Sequence, residues 1–170
     1  QGFLEARYHG LQQAIPSLAD VPFERFYAAV NEVKPSLIRI EADELTYALH
    51  IIIRYELEKR LMTKELEVKD LPQEWNRLYK EYLGVDVPSD AKGVLQDVHW
   101  SGGSFGYFPS YALGLVYAAQ LNEALRRDVD NVDGLIAAGT LAPIKGWLKE
   151  NIHRHGKSKT PAELIEAATG

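Results

Sequence analysis

The stretch EADELTYALHIIIRYELEKRLMTK, residues 41–64, decides the fold class of this chain. Its apolar side chains recur at the spacing of one face of an α-helix. This apolar stripe consists of Leu45, Leu49, Ile52, Ile53, Leu57 and Leu61. Charged side chains lie off the stripe, at Glu44, Arg54, Glu58 and Lys59. We therefore predict a long amphipathic helix from Glu41 to about Lys64, with the stripe buried in the core.

Helical patterns with start and stop signals fill most of the remaining chain. The predicted segments are Phe3 to Gln13, Asp20 to about Val33, Asp70 to Gly84, and a segment with Pro109 in its first turn that ends near Arg127. Two further helices follow, and the last begins at a capping box of Thr160 and Glu163. Residues 85–106 have the composition of a loop, and no alternating strand pattern occurs. The fold class is therefore all-α, with one helical domain over residues 1–170.

Length and charge bound the class of protein. A chain of 170 residues can bury one good core, which favours a single domain. A net charge of -5 and a pI near 5.6 argue against nucleic acid, because phosphate binding needs a clustered basic face. The absence of cysteine excludes disulfides and thiolate catalysis. No apolar run approaches the roughly 20 residues that span a bilayer. We expect a cytoplasmic protein with neither membrane nor nucleic-acid partners.

The segment GVLQDVHWSGGSFGYFPSY, residues 93–111, has the polar density of a working site. A neutral His99 imidazole can donate to a substrate carbonyl or a developing oxyanion, and the hydroxyls of Tyr107 and Tyr111 suit the same oxygen. Two alternatives stay open: a half-buried histidine with local partners, and tyrosines that belong to the core. Nothing in the chain forms a complete catalytic apparatus, so the segment is predicted to orient a substrate.

Arg39 lies between apolar neighbours just ahead of the predicted long helix, with Asp43 four residues further on. Its planar guanidinium presents paired donors that suit a carboxylate and stay charged at any working pH. The alternative is a structural ion pair between Arg39 and Asp43 at helical spacing, which the spacing alone favours.

The five histidines form no recognisable metal motif. None has a partner at the spacing of H-E-x-x-H. Glu150 and His153 share one predicted helical face, but two ligands fall short of a site. A histidine in a last helical turn, favoured by the helix dipole, is the stronger interpretation. We expect no metal site in this chain alone.

Two motifs resemble those of a known family. The string IRIEAD, residues 38–43, is similar to I-R-x-x-A-D, and GVLQDVHW, residues 93–100, is similar to G-x-x-Q-D-x-H-W. Both belong to the thermostable carboxypeptidase family, the carboxypeptidase Taq-like metallocarboxypeptidases. The likeness continues through GYFPSY at 106–111, IHRHG at 152–156 and TPAE at 160–163. It covers essentially the whole chain, but only the C-terminal third or so of the family, whose H-E-x-x-H helix would precede Gln1.

The resemblance implies a helical, cleft-shaped metallopeptidase that removes C-terminal residues from peptides one at a time. The full-length enzyme would use zinc or cobalt and form a homodimer, with its metal ligands and general base outside this chain. Arg39 would receive the terminal carboxylate of the substrate. His99 would hold a carbonyl oxygen, and Tyr107 or Tyr111 would donate to the tetrahedral oxyanion. The supports for these residues would be Gln96 and Asp97.

A stand-alone helical interaction or scaffold module is the alternative interpretation. A natural start would carry a Met and a cap, whereas the chain enters a helical pattern directly after Gln1, which favours a fragment of the enzyme. On that interpretation the isolated chain is inactive, holds no tight zinc, and self-associates through apolar surface that the missing part would cover. A shared cleft also requires the loop at residues 93–106 to lie on the same side as Arg39.

Overall fold

The computed structural model describes residues 1–170 and contains nine α-helices and no β-strand. The helices are α1 (Gly2–Glu5), α2 (Tyr8–Ala14), α3 (Phe23–Val30), α4 (Tyr47–Met62), α5 (Leu71–Leu83), α6 (Pro109–Asp128), α7 (Val132–Ala138), α8 (Ala142–Asn151) and α9 (Pro161–Thr169). The predicted all-α class is confirmed. None of the helices combines the length and the apolar composition that crossing a membrane requires.

The chain divides into two compact units. The first unit comprises Gln1–Val30 and Leu115–Gly170, and the second unit comprises Asn31–Gly114. This division into compact units does not test the predicted single domain over residues 1–170, which stays a prediction. Every site residue that the sequence predicts belongs to the second unit.

The core of the second unit lies between α4 and α5. Its buried members are Ile53, Leu57, Leu66, Leu71, Trp75, Leu78, Tyr79 and Leu83. Trp75 stacks on Tyr79, with ring centroids 5.1 Å apart. Local signals set the bounds of α5, because Pro72 occupies its first turn and Gly84 ends it in the left-handed conformation, at φ 71°. The predicted end of this helix at Gly84 is confirmed.

Helix α4 begins at Tyr47 rather than at the predicted residue 41. Residues Arg39–Glu41 form a single 3-10 turn instead. Asp43 explains the later start, because its Oδ1 accepts hydrogen bonds from the backbone amides of Leu45 and Thr46 and its Oδ2 accepts one from the Thr46 hydroxyl. These bonds satisfy the amides locally and hold the chain in a turn up to the helix start.

The buried face of α4 departs from the predicted stripe at two positions. Leu45 precedes the helix and is 73% exposed, and Ile52 is 41% exposed. The other four members of the stripe are buried or packed against the core. The buried residues of α4 are His50, Ile51, Ile53, Arg54, Leu57 and Glu58. The prediction is wrong for Leu45 because the helix begins two residues after it. It is wrong for Ile52 because polar side chains of the helix are buried with partners, which apolar spacing does not register.

The first unit departs from the predicted helices three times. The segment predicted from Asp20 to about Val33 is shorter, since α3 begins at Phe23 and ends at Val30. The segment from Phe3 to Gln13 is broken between α1 and α2. Three helices, not two, follow α6, because Asn131 adopts the left-handed conformation at φ 52° and Gly139 ends α7 at φ 74°. The capping box of α9 is confirmed, since the Thr160 side chain accepts from the Glu163 amide and the Glu163 side chain accepts from the Thr160 amide. The main core cluster of this unit is Ala124, Leu125, Val132 and Trp147.

Candidate functional site

The candidate site lies in the second unit, where the polar part of the buried α4 face meets the loop that precedes α6. Three segments contribute to it: the 3-10 turn Arg39–Glu41, helix α4 and residues 93–111. Hydrogen bonds join the loop to both of the other segments. The loop therefore lies beside Arg39, as a shared cleft requires.

Asp97 lies between two buried arginines. Its Oδ1 accepts hydrogen bonds from Arg39 Nε at 3.1 Å and Nη2 at 2.7 Å. Its Oδ2 accepts a hydrogen bond from Arg54 Nε at 2.6 Å, and Arg54 Nη2 pairs with the same oxygen at 2.6 Å. Arg39 is 5% exposed and Arg54 is 0% exposed. Each carboxylate oxygen thus faces one guanidinium, an arrangement that fixes orientation as well as charge.

The two arginines hold Asp97 in its ionised form. Burial opposes ionisation, but the hydrogen bond from Arg39 and the positive charge of Arg54 bring the pKa of Asp97 below its ordinary value. Burial likewise opposes the charge of Arg39, whose pKa is nevertheless raised by its contacts with Asp97. Both oxygens of Asp97 are occupied by arginines, which suits a support for neighbouring groups. A functional role for Asp97 stays a prediction.

The alternative of an ion pair between Arg39 and Asp43 is wrong. Asp43 accepts hydrogen bonds at the start of α4 instead, and those from Thr46 hold its pKa below the ordinary value. Arg39 lies in a 3-10 turn and not in an α-helix. The four-residue spacing therefore does not place the two side chains on one helical face.

Gln96 fastens the loop to the Arg39 turn. Its Oε1 accepts a hydrogen bond from the Arg39 backbone amide at 2.9 Å. Its Nε2 donates to the Leu37 carbonyl at 2.9 Å and to the Tyr79 hydroxyl at 3.2 Å. These contacts occupy both ends of the amide, which suits a support for neighbouring groups. A functional role for Gln96 stays a prediction.

The three candidate donors lie together. His99 Nε2 is 3.1 Å from the Tyr111 hydroxyl. The Tyr107 ring lies 5.7 Å from the His99 ring and 5.4 Å from the Tyr111 ring. The Tyr111 ring also covers Arg39, whose guanidinium carbon is 4.6 Å from the ring centre. The structure therefore brings all six predicted site residues into one cluster, and their roles stay predictions.

Exposure distinguishes the members of this cluster. Tyr107 is 52% exposed. The His99 side chain is 15% exposed, and its Nδ1 lies 3.8 Å from Asp97 Oδ1 without a hydrogen-bond partner. That distance is too long for a hydrogen bond, so Asp97 does not orient the imidazole by direct contact. Because Tyr111 is hydrogen-bonded to His99 and is less exposed, Tyr107 is the more accessible of the two tyrosines.

Two charged residues of α4 that the stripe pattern placed outside the core belong to the site. Arg54 pairs with Asp97. Glu58 accepts hydrogen bonds from the Trp100 indole Nε1 at 2.8 Å and from the Gly106 backbone amide. Glu58 thereby holds the loop at two points, and Gly106 has the positive φ of 74° that this path needs. Their signal in the sequence is the four-residue spacing of His50, Arg54 and Glu58, which places these three polar side chains on one face of the helix.

The predicted pair Glu150 and His153 does not form a ligand pair. Glu150 forms an ion pair with Arg154. Helix α8 ends at Asn151, and His153 lies in a separate 3-10 turn. Across residues 1–170, no three His, Asp or Glu side chains come together as a metal ion would require. The residues of this chain therefore do not fit a metal centre by themselves.

The fold and the site define an all-helical protein whose second unit presents hydrogen-bond donors beside an arginine clamped by a carboxylate. The sequence matches the model of the family described as Carboxypeptidase Taq (M32) metallopeptidase over residues 1–170, and the chain belongs to this family. The resemblance predicted from the two motifs is confirmed. The family is one of metallopeptidases, so a metal cofactor belongs to its full-length members.

Bacterial relatives match nearly the whole chain but only part of their own length. Carboxypeptidase 1 of Bacillus subtilis is 54% identical over 164 residues, which cover 96% of this chain and 33% of that protein. Thermostable carboxypeptidase 1 of Thermus thermophilus is 46% identical over 170 residues, which cover 99% and 33%. The crystal structure of an M32 carboxypeptidase from Deinococcus radiodurans matches with a TM-score of 0.92 at 43% identity, covering 99% of this chain and 34% of that one. This chain therefore spans about a third of the length of these relatives.

Proposed function

We propose that this chain is the C-terminal third of a metal-dependent carboxypeptidase that hydrolyses the last peptide bond of peptides. Its share of the reaction is to recognise the terminal carboxylate of the substrate and to donate hydrogen bonds to the carbonyl oxygen under attack. The observation that carries the proposal is the position of Arg39, clamped by Asp97, directly beside the donors His99 and Tyr111. Membership of the family supplies the class of reaction.

Arg39 is the proposed receptor for the terminal carboxylate, because an exopeptidase must recognise the end of its substrate. A guanidinium carries five donor hydrogens. Asp97 accepts the single hydrogen on Nε and one of the two on Nη2, and the Tyr47 hydroxyl accepts one from Nη1 at 3.1 Å. One hydrogen on each terminal nitrogen is left for a carboxylate, which suits bidentate binding. The clamp also orients the guanidinium before the substrate arrives, so less entropy is lost on binding.

His99 and one of the two tyrosines are the proposed donors to the substrate carbonyl. As the carbonyl is attacked, negative charge develops on its oxygen, and fixed uncharged donors stabilise that charge without reorganising. The hydrogen bond between His99 and Tyr111 orders two of these groups, while Tyr107 is the most exposed of the three residues. The proposed supports are Gln96 and Asp97.

Zinc or cobalt is the proposed cofactor of the full-length enzyme, and its ligands and the general base would come from residues outside this chain. When bound, such an ion polarises the scissile carbonyl and activates water. On this proposal the 170-residue chain alone has no tight metal and no peptidase activity. The full-length enzyme is proposed to be a cytoplasmic homodimer that acts on peptides.

The test compares peptides with a free and an amidated C-terminus. The metal-loaded full-length enzyme should release the last residue from the free peptide and should cleave the amide only slowly. The 170-residue chain should release nothing in the same buffer with zinc or cobalt added. Turnover by the chain alone, or equal cleavage of both peptides by the full-length enzyme, would contradict the proposal.

A stand-alone interaction or scaffold module is less well supported by the site. Such a module needs an exposed surface but no carboxylate clamped between two buried arginines. Burying these charges costs free energy that well-packed apolar side chains would not. That cost is expected where the geometry of charged groups matters, which favours a recognition site over a scaffold.

A further inference from the structure

The hydroxyl of Tyr79 meets three polar groups, two from α4 and one from the loop that precedes α6. His50 Nδ1 is 3.1 Å away, Arg54 Nη1 is 3.2 Å away and Gln96 Nε2 is 3.2 Å away. Tyr79 lies on α5 and is 0% exposed. Burial raises its pKa, so the hydroxyl keeps its proton at neutral pH. Tyr79 is therefore a junction between α4, α5 and the loop that carries the candidate donors.

The directions of these hydrogen bonds follow from the chemistry of the partners. An arginine nitrogen can only donate. The amide of Gln96 is oriented by two backbone groups, because its oxygen faces the Arg39 amide and its nitrogen faces the Leu37 carbonyl. Its Nε2 therefore also donates to Tyr79. The phenolic oxygen has two lone pairs, which these two donors occupy.

The single proton of Tyr79 must then point to His50, which makes Nδ1 of His50 an acceptor. The neutral ring carries its hydrogen on Nε2, a buried atom without a partner. Burial, followed by the positive charges of Arg54 and Arg39, lowers the pKa of His50 to about 4, against the opposing effect of Asp97 and Asp43. His50 is therefore neutral at pH 7 and serves as a permanent acceptor for the Tyr79 proton.

We propose that Tyr79 is a positioning residue for the carboxylate-binding arginine: its hydroxyl, oriented by His50, holds Arg54 and Gln96 in the places from which they fix Asp97 and Arg39. Arg54 reaches Asp97 directly, and Gln96 binds the backbone amide of Arg39. Without the hydroxyl, one donor hydrogen on each of Arg54 and Gln96 is left buried and unpaired. The inference rests on the proposed function, since the position of Arg39 affects KM only if Arg39 binds the carboxylate of the substrate.

Helix α5 offers a matched control for the experiment. Tyr82 lies on the same helix, and its hydroxyl donates to the Glu56 carboxylate at 3.0 Å. Tyr79→Phe and Tyr82→Phe therefore each remove one hydrogen-bonded tyrosine hydroxyl, but only that of Tyr79 lies in the arginine network. Both variants are made in the full-length enzyme, and KM and kcat are measured on a peptide with a free C-terminus and on its amide.

Tyr79→Phe should raise KM for the free peptide roughly tenfold or more, the loss expected when hydrogen bonds in a charged network fail. The residual cleavage of the amide should be hardly changed, and Tyr82→Phe should match the wild type on both substrates. An equal loss on both peptides, or equal behaviour of the two variants, would overturn the proposal. A wild-type enzyme that does not distinguish the two peptides would instead overturn the proposed function.

A second pair of variants covers the case in which Tyr79→Phe fails to fold. His50→Asn keeps an acceptor near the Tyr79 proton, whereas His50→Leu removes it. His50→Leu should show the same selective rise in KM for the free peptide, and His50→Asn should restore at least part of the loss. If His50→Leu retains the KM of the wild type, the proposed orientation of Tyr79 by His50 is wrong.

Discussion

The buried residues of the second unit include Arg39, Thr46, His50, Arg54 and Glu58, whereas every buried residue of the first unit is apolar or aromatic. The ion pairs differ in the same way. Arg126 and Asp133 of the first unit have side chains that are 44% and 78% exposed, against 6% and 11% for Arg39 and Asp97. Solvent screens an exposed pair, but a buried charge must keep its partner. The second unit therefore buries charged groups at a cost in free energy, and their partners fix the geometry of these groups.

Replacing Asp97, the carboxylate that Arg39 and Arg54 share, should have the largest effect on stability. Asp97→Asn leaves Arg39 and Arg54 buried without a counter-charge, which should lower the free energy of unfolding by about 3–5 kcal/mol. Asp133→Asn removes an exposed partner of Arg126 and should leave stability unchanged within error. Urea unfolding of both variants at pH 7 measures the difference. Equal losses in the free energy of unfolding would show that the buried network contributes no more to stability than a surface ion pair.

Removing Arg39 tests whether the buried network serves recognition. In the full-length enzyme, Arg39→Ala should cost roughly 2–5 kcal/mol in kcat/KM on a peptide with a free C-terminus, because it deletes a charge-assisted bidentate contact. The amidated peptide should hardly be affected. Arg126→Ala in the first unit is the matched control and should leave kcat/KM unchanged on both substrates. If Arg39→Ala lowers kcat/KM equally on the free and the amidated peptide, Arg39 is only the structural partner of Asp97.

The candidate donors His99, Tyr107 and Tyr111 sharpen the comparison within the second unit. His99→Ala and Tyr107→Phe should each lower kcat about a hundredfold and leave KM nearly unchanged, since they act where charge develops on the carbonyl oxygen. Tyr111→Phe, measured beside them, identifies which tyrosine donates. Tyr117→Phe, on the part of α6 in the first unit, is the control. An unchanged kcat in all three site variants would show that the cluster has a structural role only.

The buried histidine should give the second unit a pH dependence of stability. The pKa of His50 is about 4 in the fold against an ordinary value of 6.5, so the unfolded chain binds more protons between these values. Its contribution is complete above pH 6.5 and is lost as pH falls towards 4, with a slope of at most about 1.4 kcal/mol per pH unit. The lowered pKa of Asp97 acts only at lower pH, below its ordinary value of 3.8. Unfolding from pH 7 to 4 should show this slope in the wild type and a reduced slope in His50→Asn.

Much of the fold was predictable because helix signals are local. The end of α5 at Gly84 and the capping box at Thr160 follow from residues within a few positions of each other. The start of α4 was not, because Asp43 competes for the amides that a helix would leave unpaired. Periodicity alone counts apolar positions, and it therefore also missed Ile52 on the exposed side.

The site was predictable as a set of residues but not as a set of contacts. The motifs at 38–43 and 93–100 gave the family and four candidate side chains, and the likeness at 106–111 added Tyr107 and Tyr111. The partner of Arg39, however, is 58 residues away, and Arg54 reaches the same Asp97 across 43 residues. The nearer Asp43 has the right charge and spacing, and it is the wrong partner.

By itself the sequence determined the helical class, most helix ends and the family, since each depends on side chains close together in the chain or on a motif read as a string. Only the tertiary structure decided that Asp97 lies between two arginines, that Glu58 anchors the loop and that His50 accepts the proton of Tyr79. The physical reason is the same in each case. Burial strengthens electrostatic contacts and penalises unpaired groups, so the partner is chosen by which groups share the core, and not by their distance along the chain.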